Sequence, residues 1–328
     1  MAAAEQISGL TAEQMAFFKA QGYLLIPGLL DVQRCAEVRD LMWDALPENA
    51  ALSRHDPSSH VGPFSEFDQD HDSLHVREGY RWLNRRLGVH PAVVDLVYGT
   101  ALTGIASQLL GDTLREPVVN GTPMGSRGPA WPGGPTDPAL GTQGARGVYC
   151  TLPYGGKARE PDRCHTDGHP FQLGVVALLD ETPSDGGAFK VWPGSHQRLF
   201  PTFTLRYDQP RIPYYDHLPS FKGIVHNQAY LSAIDELNEQ PPIECWGGAG
   251  DVVIWHHRLA HMAGHNYSNV IRQAVLGDFS TTSLDTLRAR PPHGDMWADW
   301  SKAMQQSAET YSDAFARQQR LPGATSQT

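Results

Sequence analysis

The sequence predicts a mainly β fold with flanking helices. Thirty-two Gly and 25 Pro among 328 residues indicate many turns and loops, which suit a β core better than a helical bundle. Apolar segments of strand length follow one another through the second half of the chain, whereas helical periodicity is confined to its two ends. We therefore expect one domain, residues 1–328, with a helical part at about 11–110, a β core at about 116–280 and a C-terminal helix at about 295–319.

The helical part begins with three short elements. Thr11-Ala12-Glu13-Gln14 has the pattern of a capping box and predicts a helix that Gly22 ends. Tyr23–Ile26 predicts a short apolar strand, and Asp31 can cap a second helix through Leu46. A further helix is expected from Pro91, a favoured first helical residue, to about Leu110.

The β core is predicted from apolar runs separated by Gly and Pro. The run at 171–179 is nearly all apolar, as expected of a strand buried on both faces. Two long loops, 125–147 and 197–240, interrupt the pattern. The first is either a disordered surface loop or a lid over a pocket, and the second either folds back over a site or only packs its aromatic side chains. Strands are expected at 118–124, 148–153, 171–179, 188–192, 242–246, 251–255 and 272–279.

Composition excludes several classes of partner. The net charge of -10 argues against nucleic acid or an anionic membrane surface, and no run approaches a membrane span of roughly 20 apolar residues. The four cysteines are scattered without a CxxC pair, so neither a zinc ribbon nor a disulfide framework is favoured. No signal peptide is recognisable. We expect a cytoplasmic protein that acts on a small-molecule substrate, with a homodimer possible.

A cluster of metal-ligating residue types lies in the β core. His165 and Asp167 are two residues apart, so on an extended segment both side chains lie on one side and can reach one metal ion. A third ligand can come from the stretch downstream, which offers His256, His257 and His261. Two His and one carboxylate form the facial triad of non-haem Fe(II) oxygenases, but they also suit Zn²⁺ with an open water site.

One arginine follows the histidines on an apolar strand candidate. Arg272 can bind a carboxylate through two parallel charge-assisted hydrogen bonds, because its guanidinium is a planar fork. A metal triad together with one deep Arg is suited to a small dicarboxylate that chelates the metal at its other end.

Three blocks of sequence, in order, resemble a known family. The first block is Phe17–Gly28. The second consists of Leu178-Leu179-Asp180 followed by Gly186–His196. The third consists of the separated residues Gly250-Asp251, His261, Asn266 and Arg272. Over roughly residues 11–280 the chain resembles the phytanoyl-CoA dioxygenase-like Fe(II)/2-oxoglutarate-dependent oxygenases.

The resemblance implies a fold and a site. The fold would be a double-stranded β-helix, a jelly-roll or cupin-like barrel, with helices packed on one side. His165, Asp167 and His261 would be the iron ligands, and Arg272 would pair with the distal carboxylate of 2-oxoglutarate. The spacing from Gly250-Asp251 then leaves His256 and His257 as packing residues.

The chain departs from the family pattern at one position. Relatives often carry Ser or Thr two residues after the distal His, where this chain has Ala263. One hydrogen bond to the cosubstrate, worth about 0.5–1.5 kcal/mol, must then come from elsewhere. Thr151 or Tyr149 on the preceding strand can supply it.

The activity implied by the resemblance is that of a 2-oxoglutarate-dependent dioxygenase with Fe(II), 2-oxoglutarate and O2. It would oxidise, most simply hydroxylate, a C–H bond of a metabolite, in specialised-metabolite biosynthesis. The carboxylate of Asp167 argues against halogenation, since related halogenases have a small residue there. A cupin-like Zn-dependent hydrolase or isomerase, or a non-redox metal-binding barrel, is the alternative, although neither needs Arg272. We expect His169 near the pocket. Arg77 is expected at the surface, with contact to the cosubstrate or an anionic substrate as the alternative.

Overall fold

The strands of the β core form two antiparallel sheets. The structure, a computed structural model, describes residues 9–67, 75–111, 113–117, 119, 145–167, 170–207, 228–288 and 290–321. Within these ranges the strands are β1 Tyr23–Ile26, β2 Phe64–Phe67, β3 His75–Gly79, β4 Arg81–Asn84, β5 Ala145–Thr151, β6 Leu173–Leu178, β7 Phe189–Val191, β8 Ile243–Cys245, β9 Val252–His256, β10 His261–Ala263 and β11 Arg272–Phe279.

The larger sheet has the order β1-β9-β6-β11-β5-β4-β3-β2 and the smaller one β10-β7-β8. Phe189 of β7 packs against Trp255 of β9, with ring centroids 4.8 Å apart, and so joins the two sheets. Strand β6 lies between β9 and β11 and is buried along its whole length, as its apolar sequence predicts. Two facing sheets with flanking helices confirm the double-stranded β-helix, or jelly-roll, prediction.

Nine helices flank the two sheets within the described residues. They are α1 Ala12–Gln21, α2 Val32–Asp44, α3 Pro91–Val97, α4 Thr100–Leu110, α5 Ser195–Leu199, α6 Gln228–Asn238, α7 Leu284–Leu287, α8 Lys302–Gln306 and α9 Asp313–Gln318, with 3₁₀ turns at Pro57–His60, Arg86–Val89 and Phe200–Thr202. Trp43 of α2 packs on Trp82 of β4 at 4.8 Å, and α3 packs on β5 and β11.

The predicted start of the chain is confirmed in detail. Thr11 Oγ1 accepts from the Gln14 amide at 3.2 Å, and the Gln14 side chain accepts from the Thr11 amide at 2.8 Å, which is a capping box. Gly22 ends α1 at φ 78°, and a Cβ there would lie 2.5 Å from the His196 ring. Asp31 caps α2 by accepting from two amides of its first turn.

Two helix predictions are wrong as single helices. The one from Pro91 to Leu110 is broken into α3 and α4, because Gly99 is extended at φ -64° and ψ 167° and serves as the N-cap of α4. The C-terminal helix at 295–319 is replaced by α8 and α9, each capped by a serine, Ser301 and Ser312, that accepts from an amide of the following turn. Caps inside a helical pattern therefore end helices that periodicity alone would join.

Some elements are not predicted at all. Strand β2 and the start of β3 lie in residues 47–76, a polar stretch with no clear period, and β4 lies where no element is predicted. Helix α6 lies in the predicted loop at 197–240. The predicted strand at 118–124 and the candidate lid at 125–147 fall almost entirely outside the described residues.

Among the described helices, none alone has the length and apolar composition to cross a membrane. Helices α3 and α4 pass that test only when taken together, across a bend of 51°. Their apolar side chains, among them Val97, Leu102 and Ile105, lie in the core.

Candidate metal centre

The two histidines of the predicted triad are joined through their backbones. The His165 amide donates to the His261 carbonyl at 3.0 Å, and the His261 amide donates to the His165 carbonyl at 2.9 Å. Such a hydrogen-bonded pair holds two antiparallel residues directly opposite each other. The imidazole centroids are 4.6 Å apart, so one bridge brings two distant segments to a common point.

Asp167 completes the group. Its Oδ1 lies 3.6 Å from Nε2 of His261 and 3.9 Å from Nε2 of His165. The three ligand atoms all lie within 4.8 Å of one another, in a search restricted to the described part of the chain. The pair predicted from spacing and the third residue predicted from resemblance are therefore brought together.

Both imidazoles can present a ring nitrogen to a metal. Nδ1 of His261 lies 2.9 Å from the Leu259 carbonyl, to which it donates, and Nε2 is the nitrogen that faces Asp167. Burial, followed by the neighbouring His261, lowers the pKa of His165 to about 3, although Asp167 acts in the opposite direction. His165 is consequently neutral at pH 7.

Helix α6 supports the segment that carries His165. The Asn238 side chain accepts from the Cys164 amide at 2.8 Å, and the Tyr230 hydroxyl lies 3.0 Å from that of Thr166. This helix lies in the predicted loop at 197–240, although its buried residues recur at helical spacing: Tyr230, Ala233, Ile234 and Leu237.

Arg272 is a buried cation without a carboxylate partner among the described residues. It is 2% exposed at the start of β11, and its Nε and Nη1 donate to the carbonyls of Gly187 and Tyr149, each at 3.0 Å. Burial lowers its pKa to about 10, so it remains positively charged at neutral pH. A buried charge held only by carbonyl dipoles favours an anionic ligand.

Thr151 and Tyr149, the two residues predicted to supply the additional hydrogen bond to the cosubstrate, lie differently relative to Arg272. Thr151 lies directly opposite Arg272 in the register of β5 and β11, so the two side chains share a face. The Tyr149 hydroxyl instead accepts from Arg85 Nε at 3.1 Å. Tyr149 reaches Arg272 through its backbone carbonyl and not through its hydroxyl.

A second arginine beside the triad was missed. Arg146 Nη1 donates to Asp167 Oδ2 at 2.8 Å, and its Nε and Nη2 donate to the two carboxylate oxygens of Asp278 at 2.8 and 2.5 Å. The sequence does show one sign of this pair, since Arg146 and Asp278 are opposite charges that each lie within an otherwise apolar strand. The predicted loop at 125–147 includes Arg146, but the structure places Arg146 in strand β5.

The rival residues lie elsewhere. His256 stacks on Trp300, with ring centroids 5.2 Å apart, and lies against His196 and His257 in a buried aromatic cluster. Arg77 is buried on β3, so its assignment to the surface is wrong. His169 is outside the described residues.

Comparison with known proteins agrees with this site. Residues 155–274 match the family model described as Phytanoyl-CoA dioxygenase (PhyH), a segment that contains His165, Asp167, His261 and Arg272. Comparison with curated proteins finds no match.

The chain is also similar, at a distance, to solved structures. One is the non-heme alpha ketoglutarate dependent carbocyclase SnoK from nogalamycin biosynthesis, with 19% identity, 88% of this chain and 95% of that one covered and a TM-score of 0.48. Another is EctD from S. alaskensis in its apoform, with 15% identity, coverage of 90% and 88% and a TM-score of 0.49. A third is the non-heme alpha ketoglutarate dependent epimerase SnoN, also from nogalamycin biosynthesis, with 16% identity, coverage of 86% and 95% and a TM-score of 0.46.

The His165, Asp167 and His261 group has the composition of the facial triad of non-haem Fe(II) oxygenases. Within that class the chain is phytanoyl-CoA dioxygenase-like over residues 155–274, which confirms the resemblance. The family match and this residue group support a 2-oxoglutarate-dependent dioxygenase with iron, 2-oxoglutarate and O2.

Proposed function

We propose that His165, Asp167 and His261 bind Fe(II), that Arg272 binds the distal carboxylate of 2-oxoglutarate, and that the enzyme hydroxylates a C–H bond of a small-molecule metabolite. The observation that carries the proposal is the buried Arg272, which has no carboxylate partner in the described chain and lies in the same barrel as a His-Asp-His group. A zinc hydrolase or isomerase needs no such cation.

With iron, 2-oxoglutarate and O2 bound, the site supplies a two-electron oxidation in which one oxygen atom enters succinate and the other the product, while CO2 leaves. The balance is R–H + 2-oxoglutarate + O2 → R–OH + succinate + CO2. The protein contributes position, charge and exclusion of water.

The residues of this chain divide that work. The Arg272 guanidinium neutralises one end of the dianionic cosubstrate, since its remaining N–H groups are free of carboxylates in the described chain. Thr151, on the same face, donates the hydrogen bond that Ala263 cannot make. Tyr149 orients Arg272 through its carbonyl, which revises the predicted role of its hydroxyl.

Further proposals concern the whole chain. One hydrophobic cluster includes residues from Leu10 to Ala316, which supports a single domain over 1–328. Cys35, Cys150, Cys164 and Cys245 are all buried and free of disulfides, which supports a reducing, cytoplasmic location. A place in specialised-metabolite biosynthesis and a homodimer stay predictions, to be tested by a metabolite screen and by light scattering.

The test begins with anaerobic protein, Fe(II) and 2-oxoglutarate. We expect the weak visible charge-transfer absorption of a chelated 2-oxo acid, and succinate once O2 is admitted, in larger amount when a metabolite panel contains the substrate. Zn(II)-loaded protein is the control and should give neither signal. No absorption and no succinate with Fe(II) would reject the proposal.

A further inference from the structure

The carboxylate of Asp167 is shared between the candidate metal position and a buried guanidinium. We propose that Arg146, itself held by Asp278, is a positioning residue that makes Asp167 a one-oxygen ligand. This inference depends on the proposed function, because it assumes that Asp167 binds the metal.

The contacts assign each oxygen of Asp167 a different neighbour. Oδ2 accepts from Arg146 Nη1 at 2.8 Å, whereas Oδ1 lies 3.6 Å from Nε2 of His261 and 3.9 Å from Nε2 of His165. Oδ1 is thus the oxygen directed between the two imidazoles. Oδ2 is already engaged before any metal is bound.

Asp278 fixes the orientation of the guanidinium. Its two oxygens accept from Nε and Nη2 of Arg146, which is the bidentate fork geometry. Since the guanidinium is planar, this pairing determines where Nη1 points, and Nη1 is the nitrogen that holds Asp167. A lysine has one ammonium group and cannot hold both carboxylates in the same way.

The surroundings make this arrangement rigid. Arg146 is 6% exposed and lies over the rings of Phe171 and Trp255, at 5.1 and 5.9 Å from their centroids. Burial alone lowers the pKa of Arg146, but Asp167 and Asp278 raise it above its usual value, so the charge persists. A buried cation between two carboxylates leaves the group with one net negative charge.

The backbone directs Arg146 to this position. The pairing of β5 with β11 shifts by one residue between Leu276 and Gly277, which is the type of irregularity that re-aims a side chain. The next residue, Gly147, has φ 110°, and a Cβ there would lie 2.3 Å from the Asn84 carbonyl oxygen. Only glycine fits, so the local sequence is adapted to the irregular strand.

The chemical consequence is the number of free metal positions. A metal ion held by His165, His261 and one oxygen of Asp167 would keep room for a chelating 2-oxo acid and O2. A carboxylate bound through both oxygens would take one of those free positions. By occupying Oδ2, Arg146 would leave only Oδ1 of Asp167 to bind the metal.

The experiment compares Arg146→Lys and Asp278→Asn with a matched control, Arg206→Lys. Arg206 pairs with Asp299 at 3.1 Å, and both side chains are 15% exposed, but neither belongs to the triad. Each protein is titrated anaerobically with Co(II), followed by the visible absorption of the bound ion, and then with Fe(II) and 2-oxoglutarate. Circular dichroism checks folding.

We expect both test variants to bind Co(II) about 10- to 100-fold more weakly and to alter the Co(II) spectrum, which reports coordination geometry. Arg206→Lys should stay within about twofold of the wild type, since it contacts no ligand. A role confined to folding would lower thermal stability without moving the spectrum.

Two results would overturn the inference. One is wild-type affinity and spectrum in folded Arg146→Lys and Asp278→Asn. The other is failure of both to fold, which would assign the pair to folding alone. A wild type that binds neither metal nor 2-oxoglutarate would instead reject the proposed function, so the two failures are distinguishable.

Discussion

His165 and His261 form two backbone hydrogen bonds with each other, at 3.0 and 2.9 Å, and the centroids of their imidazole rings lie 4.6 Å apart. The candidate metal centre is therefore built on a main-chain bridge rather than on flexible side chains. Because the bridge lies where β10 begins, the ligand geometry depends on sheet pairing.

Replacing Asp167 by Ala should abolish oxygenation, with a loss of at least about 100-fold in turnover and of Fe(II) affinity, since the triad loses its only anion. The measurement is succinate formation together with metal titration. Asp162→Ala is the control, because Asp162 binds Lys190 at 2.9 Å and lies outside the triad. Full activity of Asp167→Ala would show that another carboxylate binds the metal.

Replacing Arg272 by Met should raise the KM for 2-oxoglutarate about 10- to 100-fold, because hydrogen bonds to a charged group contribute about 1.5–3 kcal/mol. Steady-state kinetics with varied 2-oxoglutarate measure it. Arg159→Met removes an exposed pair with Asp185 and should change the KM little. An unchanged KM in Arg272→Met would exclude Arg272 from cosubstrate binding.

Thr151→Val tests the source of the hydrogen bond missing at Ala263. We expect the KM for 2-oxoglutarate to rise about 2- to 10-fold, the effect of one neutral hydrogen bond, with little change in stability. Thr182→Val, at a buried threonine on another segment, is the control. Equal KM values in both variants would assign the hydrogen bond to another group.

Acid should destabilise the fold through its buried histidines. Burial lowers the pKa of His196 to about 4 and that of His256 well below its usual value. An unfolded imidazole has a pKa of about 6.5. Between these values the unfolded chain binds more protons than the folded chain, so the free energy of unfolding falls as pH falls. For His196 alone the full effect is on the order of 3 kcal/mol.

Urea unfolding between about pH 7 and pH 4 measures this dependence. His196→Gln should lower stability at neutral pH but flatten the loss on acidification. His55→Gln, at an exposed position, should leave the slope unchanged. A slope in His196→Gln as steep as that of the wild type would assign the acid sensitivity to other groups.

Local spacing was enough to predict the elements that depend on neighbours in sequence. The capping box at Thr11, the extents of β1 and β11 and the side-by-side placement of His165 and Asp167 all follow from periodicity and cap chemistry. The resemblance selects His261 among three candidate histidines, and the structure places it beside His165 and Asp167. The local predictions hold because helix caps and strand alternation act over only a few residues.

Contacts between distant segments could not be inferred in the same way. The interruption of the helix at Gly99, the strands β2 to β4 and the Arg146–Asp278 pair depend on which segments the folded sheet places side by side. Polar residues in an irregular strand carry no periodic signal, so their partners emerge only from register. The sequence by itself determined which residue types can bind a metal. The tertiary structure decided the orientation of Asp167, because Arg146, which holds Oδ2, lies on another segment that only folding brings close.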